Sequence, residues 1–395
     1  MMFTPTNPKS SVPSMKWDYE RARTKDSSLI GAGTADMDFP AAKPIRDALS
    51  EVARIGYFGY PMLGDSYYEA LESWMLRHAG IKVDARKEIS HNFGIYPSVW
   101  NIFDAICHPG DEVIFSTPVH FCFEFMVRMN DLIPVMNPLR CVNGRYTFDF
   151  EQLETLFTKK TKIFWLCNPH NPVGRAWSKE ELERVASICL KHNVWILSDD
   201  VYCGLLFRGT KYNPIASISP EISQKTITCY SASKSYNMTG IRHSFVYTSN
   251  KELLSRYNNS LQRLDLHYGM NVFGIKATEV ALRDCDQWLI ELMDYIRINF
   301  DMFKEALGCE LPELTVADSD STYFAWVDLR SLKITEKDFG PLFEKRAHIV
   351  INPGDELGEG GKGFARINLA CSHEVCNELI KRFIQVLKER KEEMR

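Results

Sequence analysis

The sequence predicts an α/β protein: a large domain with a mostly parallel sheet flanked by helices, and a smaller α+β domain after it. Short apolar runs, typical of buried strands, alternate with segments of helical periodicity over most of the chain. This pattern changes near residue 285, where a long amphipathic segment begins. Because strand, helix and strand in succession favour parallel βαβ units, the alternating part is assigned to the large domain.

The strands of the large sheet are predicted from runs that are brief, rich in β-branched and aromatic residues, and followed by polar or turn residues. These runs are EVIFST (112–117), KIFWLCNP (162–169), VWILSDD (194–200), TITCYSAS (226–233) and HSFVYTS (243–249). A helix is predicted over 178–193, because Ser178 and Glu181 have the spacing of a capping box and the apolar residues after them recur at helical intervals.

The C-terminal part is predicted to hold a long amphipathic helix, the strands STYFAWVDL and FARINLA, and a last helix rich in Lys and Glu. A Gly-rich loop (353–363) lies between the two strands. The predicted division is an N-terminal arm (1–45) that joins the small domain, a large cofactor-binding domain (46–285) and a small C-terminal domain (286–395).

Composition and charge favour a small-molecule partner. With 395 residues, a net charge near −4 and 45% hydrophobic residues, the chain is large enough for a sizeable core and has no basic field to attract nucleic acid or an anionic membrane. The N-terminus lacks a long apolar core, and no run of ~18 apolar residues occurs. We therefore expect a cytoplasmic protein.

The cysteines indicate reduced thiols. There are eleven, an odd number, and none forms a C-x-x-C pair. This usage favours neither a disulfide framework nor a zinc site, so no metal is expected.

Polar residues follow the predicted strands at the edge where open parallel sheets bind ligands. NPHNPVGR (168–175) follows one strand, Asp199 and Tyr202 follow the next, and Ser231 to Lys234 follow the third. Each group alone also fits a structural role: a rigid turn, a helix N-cap, or a core tyrosine with a solvated hydroxyl.

Together these residues match the functional groups of pyridoxal 5′-phosphate. Its aldehyde needs a lysine amine to form an imine, its ring nitrogen a carboxylate, its phenolic oxygen hydrogen-bond donors, and its phosphate a cation with hydroxyls. The matching residues are, in that order, Lys234; Asp199; Asn171 with Tyr202; and Arg242 with Ser231 and Ser233. Lys234, Asp199 and Tyr202 are predicted as the catalytic residues.

Several motifs resemble the fold type I pyridoxal-phosphate enzymes of the class I and II aminotransferase group. They are ADMDFP (35–40), FGY (58–60), NPHNPVG (168–174), SDDVY (198–202), SASKSYNMTGIR (231–242) and FARINLAC (364–371). The resemblance covers nearly the whole chain, and ADMDFP is what makes it similar to the cystathionine β-lyase, or carbon–sulfur β-lyase, branch.

The resemblance implies further site residues. His120 would stack on the cofactor ring, and the backbone amides of Ile95 and Tyr96, at the start of a helix, would bind its phosphate. Tyr60 resembles a cofactor-binding tyrosine that one subunit of a dimer contributes to the active site of the other. This resemblance implies a homodimer with shared active sites.

The substrate site implied by the resemblance centres on Arg366, whose planar fork suits the α-carboxylate of an amino acid. Asn171 and Ala35 are placed beside it. A cysteine S-conjugate such as L-cystathionine, cleaved to thiol, pyruvate and ammonia, is the expected substrate.

An aminotransferase acting on an L-amino acid is the alternative. The lyase branch often has a histidine where this chain has Tyr202 and a tyrosine where it has His120. Before ADMDFP, where the branch tends to have large aromatic or aliphatic residues, this chain has GAGT (31–34). A regulatory role through a protein partner is an alternative of a different class. No sequence feature identifies a surface for such a partner, and a pure binding protein has no need to keep Lys234, Asp199 and Arg366.

Overall fold

The computed structural model describes residues 12–267 and 270–395. A seven-stranded sheet forms its largest layer, in the order β1-β7-β6-β5-β4-β2-β3. The strands, labelled in chain order, are β1 (Ile89–Asn92), β2 (Glu112–Thr117), β3 (Ile133–Pro138), β4 (Thr161–Cys167), β5 (Trp195–Asp199), β6 (Thr226–Tyr230) and β7 (Ser244–Tyr247).

The sheet is mostly parallel, which confirms the predicted fold class. Strands β6, β5, β4, β2 and β3 pair in parallel, and β7 is antiparallel to both of its neighbours. Asp199 pairs with Cys167 on one side and Cys229 on the other, so β4, β5 and β6 end at the same edge. The residues that follow these strands are therefore brought together.

The observed strands begin and end within a few residues of the predicted runs. Most of them end earlier than predicted, because the polar residues at the end of each run form turns and do not pair with a neighbouring strand. Strands β1 and β3 were not predicted. The sequence of β1, ISHN, is short and has three polar residues out of four, and β3 contains Pro134 and Pro138. Proline is tolerated in β3 because this strand lies at the edge of the sheet.

Helices cover the sheet and connect its strands. Those of eight residues or more are α1 (Lys43–Ile55), α2 (Asp65–Trp74), α3 (Ile95–Ile106), α4 (Cys122–Met129), α5 (Lys179–Lys191), α6 (Lys251–Arg263), α7 (Val272–Asp284), α8 (Asp286–Glu310) and α9 (His373–Glu393). The predicted capping box of α5 is confirmed: the Glu181 amide donates to Ser178 Oγ, and the Ser178 amide donates to Glu181 Oε2 at 2.8 Å. None of the described helices is long and apolar enough to cross a membrane.

The C-terminal part contains an antiparallel sheet in the order β8-β9-β11-β10. Its strands are β8 (Thr315–Val316), β9 (Phe324–Asp328), β10 (Asn352–Pro353) and β11 (Phe364–Asn368). The long helices α8 and α9 are adjacent and pack together through Phe303 and Phe383. The domain boundaries at 45/46 and 285/286 stay a prediction.

The N-terminal arm contacts the C-terminal part. Ile30–Gly31 pairs in parallel with Ile349–Val350. Lys16 and Asp38 form a buried ion pair at 3.0 Å, and Trp17 Nε1 donates to the same carboxylate at 2.8 Å. These contacts fix residues 33–38 against β11, where Asn368 Nδ2 donates to the backbone oxygens of Thr34 and Asp36.

Candidate active site

A cavity of about 460 Å³ lies at the edge where β4, β5 and β6 end. Its size suits a small ligand. The site residues predicted from sequence that line it are Ala35, Ile95, Tyr96, His120, Asn171, Asp199, Tyr202, Ser231, Ser233, Lys234, Arg242 and Arg366. Segments far apart in sequence therefore converge on one cavity.

Lys234 lies in the turn after β6 and projects its amine into the cavity. Its Nζ donates to the backbone oxygen of Ala35 at 2.8 Å. Burial lowers the pKa of Lys234 to about 8, although the nearby Asp36 carboxylate acts in the opposite direction. A larger fraction of the amine is therefore neutral near pH 8, and only a neutral amine is a nucleophile or a base.

Asp199, the last residue of β5, presents a buried carboxylate. Its Oδ1 accepts a hydrogen bond from the Val201 amide at 3.3 Å, and burial raises its pKa to about 7. Asp200, the next residue, accepts instead from the hydroxyls of Ser198 and Tyr212 and does not line the cavity. Adjacent carboxylates thus have separate environments, and only Asp199 can meet a ligand cation.

Arg366, in β11, is a buried guanidinium held by neutral groups. Nη1 donates to Asn171 Oδ1 at 3.1 Å, and Nη2 donates to Gly33 O at 3.1 Å and to Asn352 Oδ1 at 2.7 Å. The guanidinium carbon lies 4.3 Å from the centroid of the Phe324 ring.

No carboxylate within the described ranges forms a salt bridge with Arg366, and burial lowers its pKa. Burying a charge without a counter-ion is unfavourable. A ligand carboxylate would supply that counter-ion. We call this side of the cavity the Arg366 end; it is formed by Gly33, Thr34, Val350, Asn352 and Arg366.

A second part of the lining, the α3 end, suits an anion. It is formed by Ile95, Tyr96, Ser231, Ser233 and Arg242. Helix α3 begins after Gly94, whose φ of 152° favours glycine, and the first amides of a helix have no partner within it. The partial positive charge of that helix terminus and the Arg242 guanidinium both favour a phosphate.

The serines of the α3 end are tied to the turn around them. Ser231 Oγ donates to the backbone oxygen of His243 at 2.7 Å, and the Ser233 amide donates to Ser231 Oγ at 3.2 Å. These two bonds fix the shape of the turn that carries Lys234.

Two further side chains, His120 and Tyr202, line the same cavity. His120 Nδ1 is 2.8 Å from Cys122 Sγ, and burial lowers the pKa of His120 to about 3, so the ring is neutral and can stack on a flat ligand. Burial raises the pKa of Tyr202, whose hydroxyl oxygen lies 3.5 Å from Asn171 Nδ2. Tyr202 therefore keeps its proton and can donate it in a hydrogen bond.

The arrangement fits the predicted cofactor. It combines an amine that forms no ion pair with any described residue, a buried carboxylate with a single described hydrogen bond, and a helix terminus that suits an anion, all facing one cavity. Within 12–267 and 270–395, by contrast, no cluster of three or more His, Cys, Asp or Glu side chains could hold a metal ion.

Tyr60 does not line this cavity, and its side chain is 91% exposed. Its role at a dimer interface stays a prediction. Glu20 and Asn352 line the cavity without having been predicted. No motif marks Glu20; the one signal for Asn352 is its position directly before the Gly-rich loop.

Comparisons with known proteins identify the family of this chain. Residues 30–383 match the sequence profile described as aminotransferase class I and II. Cystathionine beta-lyase PatB of Bacillus subtilis (strain 168) is 33% identical over 94% of this chain and 96% of its own length. Kynurenine–oxoglutarate transaminase 3 of Homo sapiens is 32% identical over 61% of this chain and 55% of its own.

A solved structure shows the same fold with the cofactor present. Cystalysin from Treponema denticola, whose crystal structure contains pyridoxal 5′-phosphate, superposes with a TM-score of 0.94 at 28% identity, covering 98% of this chain and 99% of that one. The chain therefore belongs to the aminotransferase class I and II family and is a pyridoxal-phosphate-dependent enzyme.

Proposed function

We propose that this enzyme is a carbon–sulfur β-lyase that cleaves L-cystathionine or related cysteine S-conjugates to a thiol, pyruvate and ammonia. The observation that carries the proposal is the contact between Lys234 and the ADMDFP segment: the amine donates to Ala35 O at 2.8 Å. The segment that distinguishes the lyase branch thus touches the lysine that would act as the base. PatB and cystalysin, which align over nearly the whole chain, add support.

The residues of the cavity divide into cofactor and substrate contacts. Lys234 would bind the cofactor aldehyde, and the Asp199 carboxylate would accept a hydrogen bond from the protonated ring nitrogen. Asn171 and Tyr202 would donate hydrogen bonds to the phenolic oxygen. The α3 end would hold the phosphate, and His120 would stack on the ring. When bound, the cofactor holds the substrate amine covalently and takes up the electron pair left on the α-carbon.

The chain's own groups would carry the proton steps. Arg366 would bind the substrate α-carboxylate with two parallel hydrogen bonds and so orient the α-hydrogen towards Lys234. The amine of Lys234, freed when the substrate amine takes its place, would then remove that proton as general base. Loss of the proton leads to cleavage of the bond between the β-carbon and sulfur, and the sulfur leaves as a thiolate. Water then hydrolyses the remaining three-carbon enamine to pyruvate and ammonia.

An aminotransferase is the second candidate, and two observations favour it. Kynurenine–oxoglutarate transaminase 3 aligns with part of the chain. Tyr202 and His120, the positions that depart from the lyase branch, both line the cavity. In this reaction Lys234 would return the proton to a carbon of the cofactor, and the amino group would stay on the enzyme until a 2-oxo acid removed it.

Turnover without a 2-oxo acid distinguishes the two candidates. Given L-cystathionine or a simpler cysteine S-conjugate alone, the enzyme is expected to release thiol, pyruvate and ammonia over many turnovers, because a lyase regenerates its starting form in each cycle. The measurement is pyruvate formed per active site. A single stoichiometric burst that resumes only after a 2-oxo acid is added would contradict the lyase proposal and support the aminotransferase.

Replacing Arg366 by lysine should weaken substrate binding while cofactor occupancy stays normal. Lysine keeps the charge but loses the planar fork, so we expect KM for the amino acid to rise about thirtyfold, which corresponds to ~2 kcal/mol of lost hydrogen bonding. The control is Arg330→Lys, since Arg330 pairs with Asp328 and is exposed. Loss of bound cofactor in Arg366→Lys would instead place Arg366 in the cofactor site.

A further inference from the structure

A carboxylate from the N-terminal arm reaches the cavity. Glu20 lines it, although this residue belongs to a short helix, Glu20–Thr24, far from the large sheet in sequence. The Glu20 side chain is only 16% exposed. Its Oε2 accepts a hydrogen bond from Arg23 Nε at 2.8 Å, and Oε1 has no partner in the described part of the chain.

Arg23 fixes the Glu20 carboxylate in position. Its two terminal nitrogens donate to Glu344, Nη1 to Oε2 at 3.1 Å and Nη2 to Oε1 at 2.8 Å. The arm is further held by the buried Lys16–Asp38 ion pair and by the pairing of Ile30–Gly31 with the strand before Asn352. Glu20 is therefore a positioned group of the cavity wall rather than a free surface side chain.

The contacts of the arm point to the substrate side as the location of Glu20. Arg21, the next residue, donates from Nε to Leu29 O at 3.2 Å. Ile30–Gly31 follows Leu29, lies two residues before Gly33 and pairs with a strand that includes Val350; both Gly33 and Val350 belong to the Arg366 end. The described side chains that line the cavity include two carboxylates, Glu20 and Asp199. Since Asp199 is assigned to the cofactor ring, Glu20 is the acid available to a substrate.

A second acid lies nearby in a different pocket. Glu356 lines a pocket of about 270 Å³ that shares His120 and Phe121 with the main cavity. Glu356 is exposed and shows no ion pair among the residues described, whereas Glu20 is anchored and largely buried. A charge held with little water around it discriminates more strongly between ligands than an exposed one.

We propose that Glu20 forms a subsite for a positively charged group at the far end of the substrate. This inference rests on the proposed function and names its substrate class: cysteine S-conjugates whose departing thiol carries an ammonium group. Arg366 binds the α-carboxylate at one end of such a molecule, and Glu20 Oε1 accepts a hydrogen bond from the ammonium at the other. The two fixed charges thus match the opposite charges of the substrate.

The test compares two substrates of equal shape. S-(2-aminoethyl)-L-cysteine carries a distal ammonium, and S-propyl-L-cysteine has a methyl group in its place. The wild-type enzyme should prefer the first in kcat/KM, and Glu20→Gln should lower this preference about tenfold, the usual effect of losing one charge-assisted hydrogen bond. Glu20→Asp, which keeps the charge, should recover part of the preference.

Two variants separate binding from structural effects. Glu310→Gln removes an exposed ion pair with Lys388 and leaves Arg23 and Glu20 in place, so it should change both substrates alike and keep the preference. Glu356→Gln should also keep it. A preference unchanged in Glu20→Gln, or lowered equally in Glu310→Gln, would overturn the subsite; a loss confined to Glu356→Gln would move it to the neighbouring pocket and overturn the role of Glu20.

A binding measurement keeps this test independent of the lyase reaction. L-Lysine has the shape of S-(2-aminoethyl)-L-cysteine with carbon in place of sulfur, and L-2-aminoheptanoic acid has a methyl group in place of its ammonium. Calorimetry on the holoenzyme should show that Glu20→Gln lowers the preference for L-lysine about tenfold. If neither S-conjugate is cleaved, the proposed function fails, while the ratio of the two Kd values still decides the subsite.

Discussion

Replacing Lys234 by alanine is expected to abolish turnover and to leave no cofactor that borohydride can fix to the protein. The amine of Lys234 would serve both as the covalent anchor and as the general base, so both roles are lost together. The measurement is activity together with mass spectrometry of the borohydride-treated protein. In the wild-type protein, the reduced cofactor should be found on the peptide that contains Lys234.

The pKa of Lys234 gives this prediction a pH dependence. Burial lowers that pKa to about 8, and only the neutral amine attacks an aldehyde. The rate at which cofactor-free protein binds pyridoxal 5′-phosphate should therefore rise with pH around 8, well below the ordinary lysine value of about 10.4.

A suitable control is Lys225→Ala. Lys225 lies on the surface, where it donates to Asn193 Oδ1 and contacts the Trp195 ring. This variant should keep both activity and the fixed cofactor. An adduct that persists in Lys234→Ala on another lysine would refute the assignment of Lys234.

Replacing Asp199 by asparagine is expected to lower kcat about a thousandfold while much of the cofactor stays bound. An amide cannot keep the ring nitrogen protonated, so the charge that develops as the α-proton leaves is poorly stabilised. Because this charge exists mainly in the transition state, the loss should appear in kcat rather than in KM. Steady-state kinetics with saturating cofactor measures both.

The neighbouring carboxylate offers a matched control. Burial raises the pKa of Asp200 to about 7, as it does for Asp199, but Asp200 bonds to Ser198 and Tyr212 outside the cavity. Asp200→Asn should lower the melting temperature and keep kcat within a few-fold of the wild-type value. Equal losses of kcat in the two variants would show that Asp199 acts through the stability of the fold alone.

The positions of the site residues that follow the strands of the large sheet could be predicted from the sequence. Residues such as Asp199 and Lys234 could be placed because a buried parallel strand has a recognisable composition and its carboxyl end has a fixed location. The fold class and the cofactor predicted in this way are confirmed, and so is the family that the sequence motifs resemble. The roles assigned to individual residues and the homodimer stay predictions.

Strands β1 and β3 and the position of Glu20 could not be predicted, because they depend on tertiary packing that local sequence patterns do not encode. Strand β1 is too short and polar to be recognised, and β3 contains prolines that are compatible with a strand only at an edge. Glu20 reaches the cavity because Ile30–Gly31 pairs with a strand more than 300 residues later. Such a contact leaves no periodicity or spacing in the sequence.

The hydrogen bond between Arg366 and the Gly33 carbonyl joins residues 333 positions apart, and this separation has a consequence for synthesis on the ribosome. The residues of the α3 end have all been synthesised once Arg242 is added, whereas the Arg366 end is incomplete until the strand that carries Arg366 has been translated. The residues that suit a phosphate are thus synthesised before those that complete the Arg366 end. A substrate carboxylate can therefore meet the Arg366 guanidinium only in a chain that is almost completely translated.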